Sequence, residues 1–243
     1  MRLSLTIAQD LRDFGLTDVG RVREHNEDAL VRRPSAGLWA VADGMGGLER
    51  GEWASGVIAE ALERCKLPGG LDEAAAALAQ TLETANAEIF AQGQALGSDI
   101  GSTVVALVLR EDRFALAWAG DSRAYRWKAG KIEQLSTDHT WVEARVAAGL
   151  ISPADARHHP MGHILTRAVG IDEELELQTL EGEAAPGEVF LLCSDGLTGV
   201  VSDAELALGL SARDLDGSCK RLLDLCLARG APDNVTMIAV ALD

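Results

Sequence analysis

The chain has 243 residues, 47% hydrophobic and 25% charged, a composition that supplies a buried core and excludes a disordered polymer. Its 38 acidic residues against 22 basic ones give a formal net charge of −16, which repels a phosphate backbone and argues against nucleic acid as a partner. No run approaches the roughly 18 apolar residues of a membrane span, and the apolar stretch within MRLSLTIAQDLRDFG is too short for a signal peptide.

In chain order, short apolar runs bounded by Gly, Asp or Pro predict strands near residues 15–19, 29–33 and 38–42. Two long helices follow back to back, over 49–65 and 71–93; in the second, Leu71, Leu78, Leu82, Ile89 and Phe90 recur at helical spacing and form one core-facing stripe. Strands resume at 102–110, 113–119 and 123–127. From about 136 to 170 the pattern changes to short helical pieces, one with an SPAD start at Ser152, and 136–165 reads as an inserted flap. Strands at 175–180 and 188–193, helices at 202–209 and 213–229, and a strand at 234–242 complete the chain. Ser202 with Glu205 fits a capping box. Cys219 and Cys226 share a helix face with Leu222 and Leu223 and read as packing residues; with Cys65 and Cys193 they show no metal-ligand spacing, which points to a reducing compartment.

Strands in runs, with helices in consecutive pairs, argue against a doubly wound parallel sheet and for an α+β fold: mostly antiparallel sheets with helices outside. With no linker in sight, residues 1–243 are expected to form one domain, soluble, cytoplasmic and monomeric.

The pattern that carries chemistry is the placement of carboxylates. VADGMGG ends an apolar run at Asp43, FALAWAGDSR ends one at Asp121, VFLLCSDGL ends one at Asp195, APDNVTMIAV opens one at Asp233, and Glu27-Asp28 precedes ALVRR. An Asp-Gly after a single strand is a turn; turns alone do not call for Asp each time, since Asn, Ser or Gly serve as well. Carboxylates converging at one end of the sheets repel one another and require a cation. Oxygen donors without Cys or a clean His set favour magnesium or manganese over zinc. Gly44 leaves the backbone free to turn a carbonyl toward such an ion. Two ions sharing a carboxylate suit phosphoester hydrolysis. The Arg21 and Arg23 pair is either a solvated surface charge or a bidentate phosphate ligand. His158, His159 and His163 cluster, but Pro160 and Gly162 interrupt the helix that a zinc-binding pair needs. No nucleophile elbow, Walker loop or Rossmann fingerprint is present.

The ordered set TDVGRVREHNEDA, VADGMGG, GSTVVALVL, AGDSRAY, LSTDHT, LTRAVG, FLLCSDGLT and DNVTMIAV resembles the metal-dependent serine/threonine protein phosphatases of type 2C, in their compact bacterial branch, over residues 14–242. The resemblance implies a four-layer α-β-β-α sandwich of two central antiparallel sheets flanked by paired helices. It implies a core of two manganese or magnesium ions bridged by Asp43, with the Gly44 carbonyl on one ion and Asp195 and Asp233 on the other. It further implies that Glu27 and Asp28 hold metal-bound waters, that Arg23 grips the substrate phosphate, and that Asp121 with Asp195 forms a weaker third site. The implied reaction is hydrolysis of phosphoserine and phosphothreonine in proteins by a hydroxide between the ions, opposing a eukaryotic-like bacterial kinase; the implied partners are that kinase and its substrates. One departure is Met45, where some relatives carry a His that protonates the leaving oxygen; a metal-bound water or His25 would have to replace it. A non-catalytic binding module on the same fold would show lost ligands, and none is lost.

Overall fold

The computed structural model describes residues 11–46, 50–156, 159–211 and 213–243. Strands β1 (Leu11–Asp18), β2 (Asp28–Arg33) and β3 (Leu38–Met45) precede helices α1 (Arg50–Arg64) and α2 (Leu71–Leu96). Then come β4 (Gly101–Ser102), β5 (Val104–Arg110), β6 (Arg113–Ala119), β7 (Arg123–Lys128) and β8 (Lys131–Gln134). After α3 (Trp141–Ala147) and α4 (Pro153–Ala156) run β9 (Gln178–Glu183) and β10 (Glu188–Cys193). Helices α5 (Asp195–Thr198), α6 (Asp203–Gly209) and α7 (Leu215–Ala228) lead into β11 (Val235–Leu242).

The strands form two antiparallel sheets, one in the order β1-β11-β10-β7-β8 and the other β2-β3-β5-β6-β9, with β4 paired to β3. Side-chain alternation along each strand divides the core into three layers. Trp39 and Val41 of β3 and Val105 and Leu107 of β5 meet Phe190 and Leu192 of β10 and Ile238 and Val240 of β11 between the sheets. The alternate residues of β3 and β5, Leu38, Ala40, Val104 and Ala106, turn outward under Ile58, Leu62, Leu78 and Leu82 of α1 and α2. On the far side Val189, Leu191, Met237 and Ala239 pack under Leu206, Cys219, Leu222 and Cys226 of α6 and α7. The result is the four-layer α-β-β-α sandwich. Because both faces of the central strands are covered, β5 is buried at every position and lacks the polar alternation of an ordinary antiparallel strand. Asp13 adds a polar tie between the sheets, its Oδ2 accepting from Arg32 Nε at 2.7 Å and from Trp39 Nε1 at 3.0 Å.

Most predicted elements fall where expected, with four adjustments. The strand expected at 175–180 lies at Gln178–Glu183, where it pairs with β6. The first strand begins at Leu11 rather than 15, because its whole length pairs with β11. The 102–110 run splits at Thr103, whose backbone and hydroxyl both turn to Asp43. Strand β8, a four-residue edge rich in charge, gives no apolar signal. The helix start expected at 49 lies outside the described residues, which resume at Arg50.

The capping box at Ser202 is formed, the Ser202 amide donating to Glu205 Oε2 at 3.0 Å. In the flap, Thr140 caps α3 and Ser152 Oγ accepts the Asp155 amide at 3.1 Å. The first root of the flap ties back to the end of β6 and the second root ties to the first: His139 N–H donates to Gly120 O at 2.9 Å, and Thr166 N–H donates to His139 O at 2.7 Å. All four cysteines are buried free thiols. No described helix is long and apolar enough to cross a membrane.

Phe190 is fully buried between the sheets, against Phe114 at a ring separation of 4.9 Å, so Phe190→Ala is expected to cost about 3–5 kcal/mol of stability. Leu208, 86% exposed, should tolerate Ser within about 0.5 kcal/mol. Urea titration of both variants checks the pair.

Candidate active site

The register of the sheets carries the carboxylates to one end of the sandwich. Asp28 at the start of β2 pairs directly with Asp43 near the end of β3. Asp121 follows β6, Asp195 follows β10, and Asp233 precedes β11. Asp43, Asp121, Asp195, Asp233 and Glu27 line one cleft of about 680 Å³, with Arg23 and Gly44; Asp28, paired with Asp43, is not among the lining residues.

Burial and mutual repulsion shift these groups together. Asp43 is raised well above an ordinary Asp, by burial first and then by the charges of Asp28, Asp195, Asp121 and Asp233. Burial, then Asp195, pushes Asp121 up to about 7. Asp28 is held at about 6 chiefly by burial, although hydrogen bonds from Thr236 and Ser194 pull the other way. Burial and Asp233 raise Asp195, which shares a hydrogen bond with the Asp43 carboxyl. Burial raises Glu27. Arg23 Nη2 donates to Asp233 Oδ2 at 2.7 Å, and this bond raises the guanidinium further.

Among the described residues no three His, Cys, Asp or Glu side chains are already closed into a metal cage. Within the chain, the Asp43–Asp195 hydrogen bond and the Arg23–Asp233 pair offset part of this repulsion. The donor set nevertheless fits hard divalent cations. Ser194 Oγ donates to Asp28 Oδ2 at 2.8 Å, while Asp28 Oδ1 is buried with no partner, an acceptor that a buried carboxylate does not leave idle without cause. A Cβ at Gly44 would lie 2.0 Å from Gly51 O and 2.8 Å from Glu27 O. β3 runs extended through Met45, and the close approach of α1 and the Glu27 backbone is a further reason for glycine at 44, beside the carbonyl role expected of it. Gly196, after Asp195, is excluded from carrying a side chain in the same way, by Asn234 O at 1.8 Å from its would-be Cβ.

Several supporting residues have only faint sequence signals. Asn234, beside Asp233, accepts the Glu27 amide at 2.8 Å and donates to Val19 O at 3.0 Å and His25 O at 2.9 Å, pinning the loop that carries Arg23 and Glu27. Thr103 Oγ1 accepts the Asp43 amide at 3.1 Å and pairs with Ser122 Oγ at 2.7 Å, bridging the Asp43 and Asp121 strand ends. A polar residue interrupting an apolar run is the one clue to Thr103. Asp99 and Arg167 also line the cleft and carry no such clue. Arg21 is exposed and outside the cleft lining; its amide bonds Ala231 O at 2.9 Å. His25 and His163 line the cleft, His159 does not, and His158 lies outside the described residues.

Paired antiparallel sheets bring acidic strand ends together at one cleft, with an arginine at its mouth, an arrangement suited to holding divalent ions beside a phosphoester. The chain matches the family described as Protein phosphatase 2C over residues 20–232 and belongs to it. It is 36% identical over 233 residues to the serine/threonine protein phosphatase PstP of Mycobacterium tuberculosis; the match covers 94% of this chain but 44% of that protein's length. Among solved structures, PppA, a key regulatory component of T6SS in Pseudomonas aeruginosa, superposes with a TM-score of 0.90 at 39% identity, covering 96% of this chain and 98% of that one. The catalytic domain of PstP in complex with 2 manganese ions superposes with a TM-score of 0.82 at 34% identity, over 96% and 98% of the two chains.

The raised carboxyls set a pH dependence. Asp28 and Asp121 protonate at about 6 and about 7 in the folded chain, against an ordinary 3.8, so between these values the folded state holds more protons than the unfolded one. Stability from these groups therefore falls as pH rises through that window. In chelator, the melting midpoint is expected to be higher at about pH 5 than at about pH 8, and Asp121→Asn should flatten the difference and raise the midpoint at the higher pH. Scanning fluorimetry across that range checks this; a midpoint that climbs with pH in chelator would contradict it.

Proposed function

We propose that this protein is a phosphoserine and phosphothreonine phosphatase acting on proteins, using two manganese or magnesium ions and opposing a Ser/Thr kinase of the eukaryotic-like bacterial kind. The observation that supports the reading most directly is the convergence of Asp43, Asp121, Asp195, Asp233 and Glu27 on one cleft, backed by the unpartnered Asp28 Oδ1. Asp43, Asp195, Asp233 and the Gly44 carbonyl are the residues that would hold the ions, with Glu27 and Asp28 behind them and Asp121 at a weaker third position. When bound, such ions supply a nucleophilic hydroxide at neutral pH and neutralise charge on the phosphoryl group.

The chain's own groups do the rest. Arg23, half-exposed at the mouth and paired with Asp233, presents a planar pair of donors that phosphate oxygens can take over from that carboxylate. The Ser194 hydroxyl holds Asp28 through Oδ2, and Oδ1 is left without a partner. Asn234 keeps the Arg23–Glu27 loop at a set distance from Asp233. A serine or threonine alkoxide is a poor leaving group and needs a proton; Met45 has none to give, and His25, in the cleft lining, is the chain's candidate donor. The similarity to PppA supports a narrower reading of context, in which the phosphoprotein target belongs to a secretion apparatus such as the T6SS.

The direct test is hydrolysis of a phosphothreonine peptide after metal stripping, with manganese, magnesium, calcium or zinc added back. Manganese or magnesium should restore turnover. Asp195→Asn should lower kcat/KM by at least the roughly hundredfold that loss of a ligand's supporting partner costs. Asp43→Asn should fold, bind less manganese and turn over almost nothing. A folded wild type that is inactive with every metal would favour a phosphoprotein-binding module instead.

A further inference from the structure

The loop from Arg167 to Glu173 carries none of the cleft carboxylates, yet Arg167, Ala168 and Ile171 form one wall of the cleft. Thr166, Arg167 and Ala168 also line an adjoining groove of about 300 Å³ that runs on to Glu176. The loop is thus shared between the site of reaction and a surface leading away from it.

This wall is held from below by Asn86, a residue of α2 that is 1% exposed. Asn86 Oδ1 accepts the Gly170 amide at 2.7 Å, and Nδ2 donates to the carbonyls of Asp172 at 3.0 Å and Glu173 at 3.2 Å. Its amide is committed to the main chain of this one loop. Asn is a poor helix-interior residue, and burying an amide is costly unless its partners are all supplied. Packing does not require it, since Leu82, Ala85 and Ile89 cover the same buried face with apolar atoms. Gly170 has φ +90° and would place a Cβ 2.1 Å from Ile89 Cγ2, so the loop sits directly on α2. A separate tie, the two backbone hydrogen bonds between Ser102 and Val169 at 3.0 and 2.9 Å, links the loop to the Asp43 side of the cleft. The Asn86 side chain bonds neither that tie nor any strand-end carboxylate.

We propose that Asn86 is a positioning residue for phosphoprotein recognition. It fixes the 167–173 wall so that the residues flanking the phosphorylated side chain lie along the wall and into the adjoining groove, while the phosphoryl group is handled at the carboxylate end. This inference rests on the phosphatase reading and specifies how that site meets a protein substrate.

Manganese-loaded wild type and Asn86→Asp are compared on a phosphothreonine peptide and on p-nitrophenyl phosphate, which has no chain to lay along the wall, with manganese titration calorimetry and thermal melting alongside. Aspartate keeps an acceptor for the Gly170 amide and sets an acceptor against the two carbonyls. The expected result is a peptide KM raised about tenfold, with peptide kcat, p-nitrophenyl phosphate kcat/KM and manganese affinity each within about twofold of wild type. Equal losses on both substrates, or weakened manganese binding, would overturn the proposal. Gly170→Ala presses the same loop from its own side against Ile89 and leaves the Asn86 amide intact; it should show the same split, and decides the matter if Asn86→Asp does not fold. Wild type inactive on both substrates would reject the phosphatase reading itself, a result distinguishable from any behaviour of the variants.

Discussion

Mutual repulsion among buried carboxylates is the constraint around which the rest of this protein is arranged. Asp28, Asp43, Asp121 and Asp195 are each pushed upward first by burial and then by neighbouring carboxylates, and the charge of Arg123 offsets only part of this at Asp121 and Asp195. Further relief is local: a hydrogen bond between Asp43 and Asp195, the Ser194 hydroxyl on Asp28, and Arg23 on Asp233. Such a cluster persists only where the backbone beneath it cannot spread. A site of this kind stores a demand for divalent cations in its scaffold.

The scaffold meets that requirement by burying both faces of its central strands. Apolar side chains between the sheets and under the helix pairs hold the strand ends at the spacing set by sheet register. At the cleft itself, glycine does the close fitting. Gly44 lets β3 touch the first turn of α1, and Gly196 lets the Asp195 turn touch Asn234. Each Asp-Gly pair therefore brings a carboxylate and a neighbouring backbone together more tightly than any side chain would allow. The same economy of contact recurs at Gly170, where the cleft wall meets α2.

Much of this was legible in the order of residues. Apolar runs, helix stripes and the Ser202 cap follow from local periodicity and local hydrogen bonding, which need few distant partners. The charged edge β8 and the displaced β9 were not legible, because edge strands are defined by pairing with β7 and β6 rather than by their own hydrophobicity. The residues that steady the site, Asn234, Thr103 and Ser194, were equally hidden: each is an ordinary polar residue until its partners arrive from far along the chain.

By itself the sequence determined which groups are available: acidic residues at the ends of apolar runs, an arginine beside them, and an ordered set of motifs resembling one phosphatase family. Composition and periodicity are local properties, so they also determined the fold class. Only the tertiary structure decided that Asp28 faces Asp43 across a strand pair, that one Asp28 oxygen is left without a partner, and that Arg21 stands apart from Arg23. It also decided why Gly44 is glycine and what Asn86 holds, since both depend on atoms that approach from other elements.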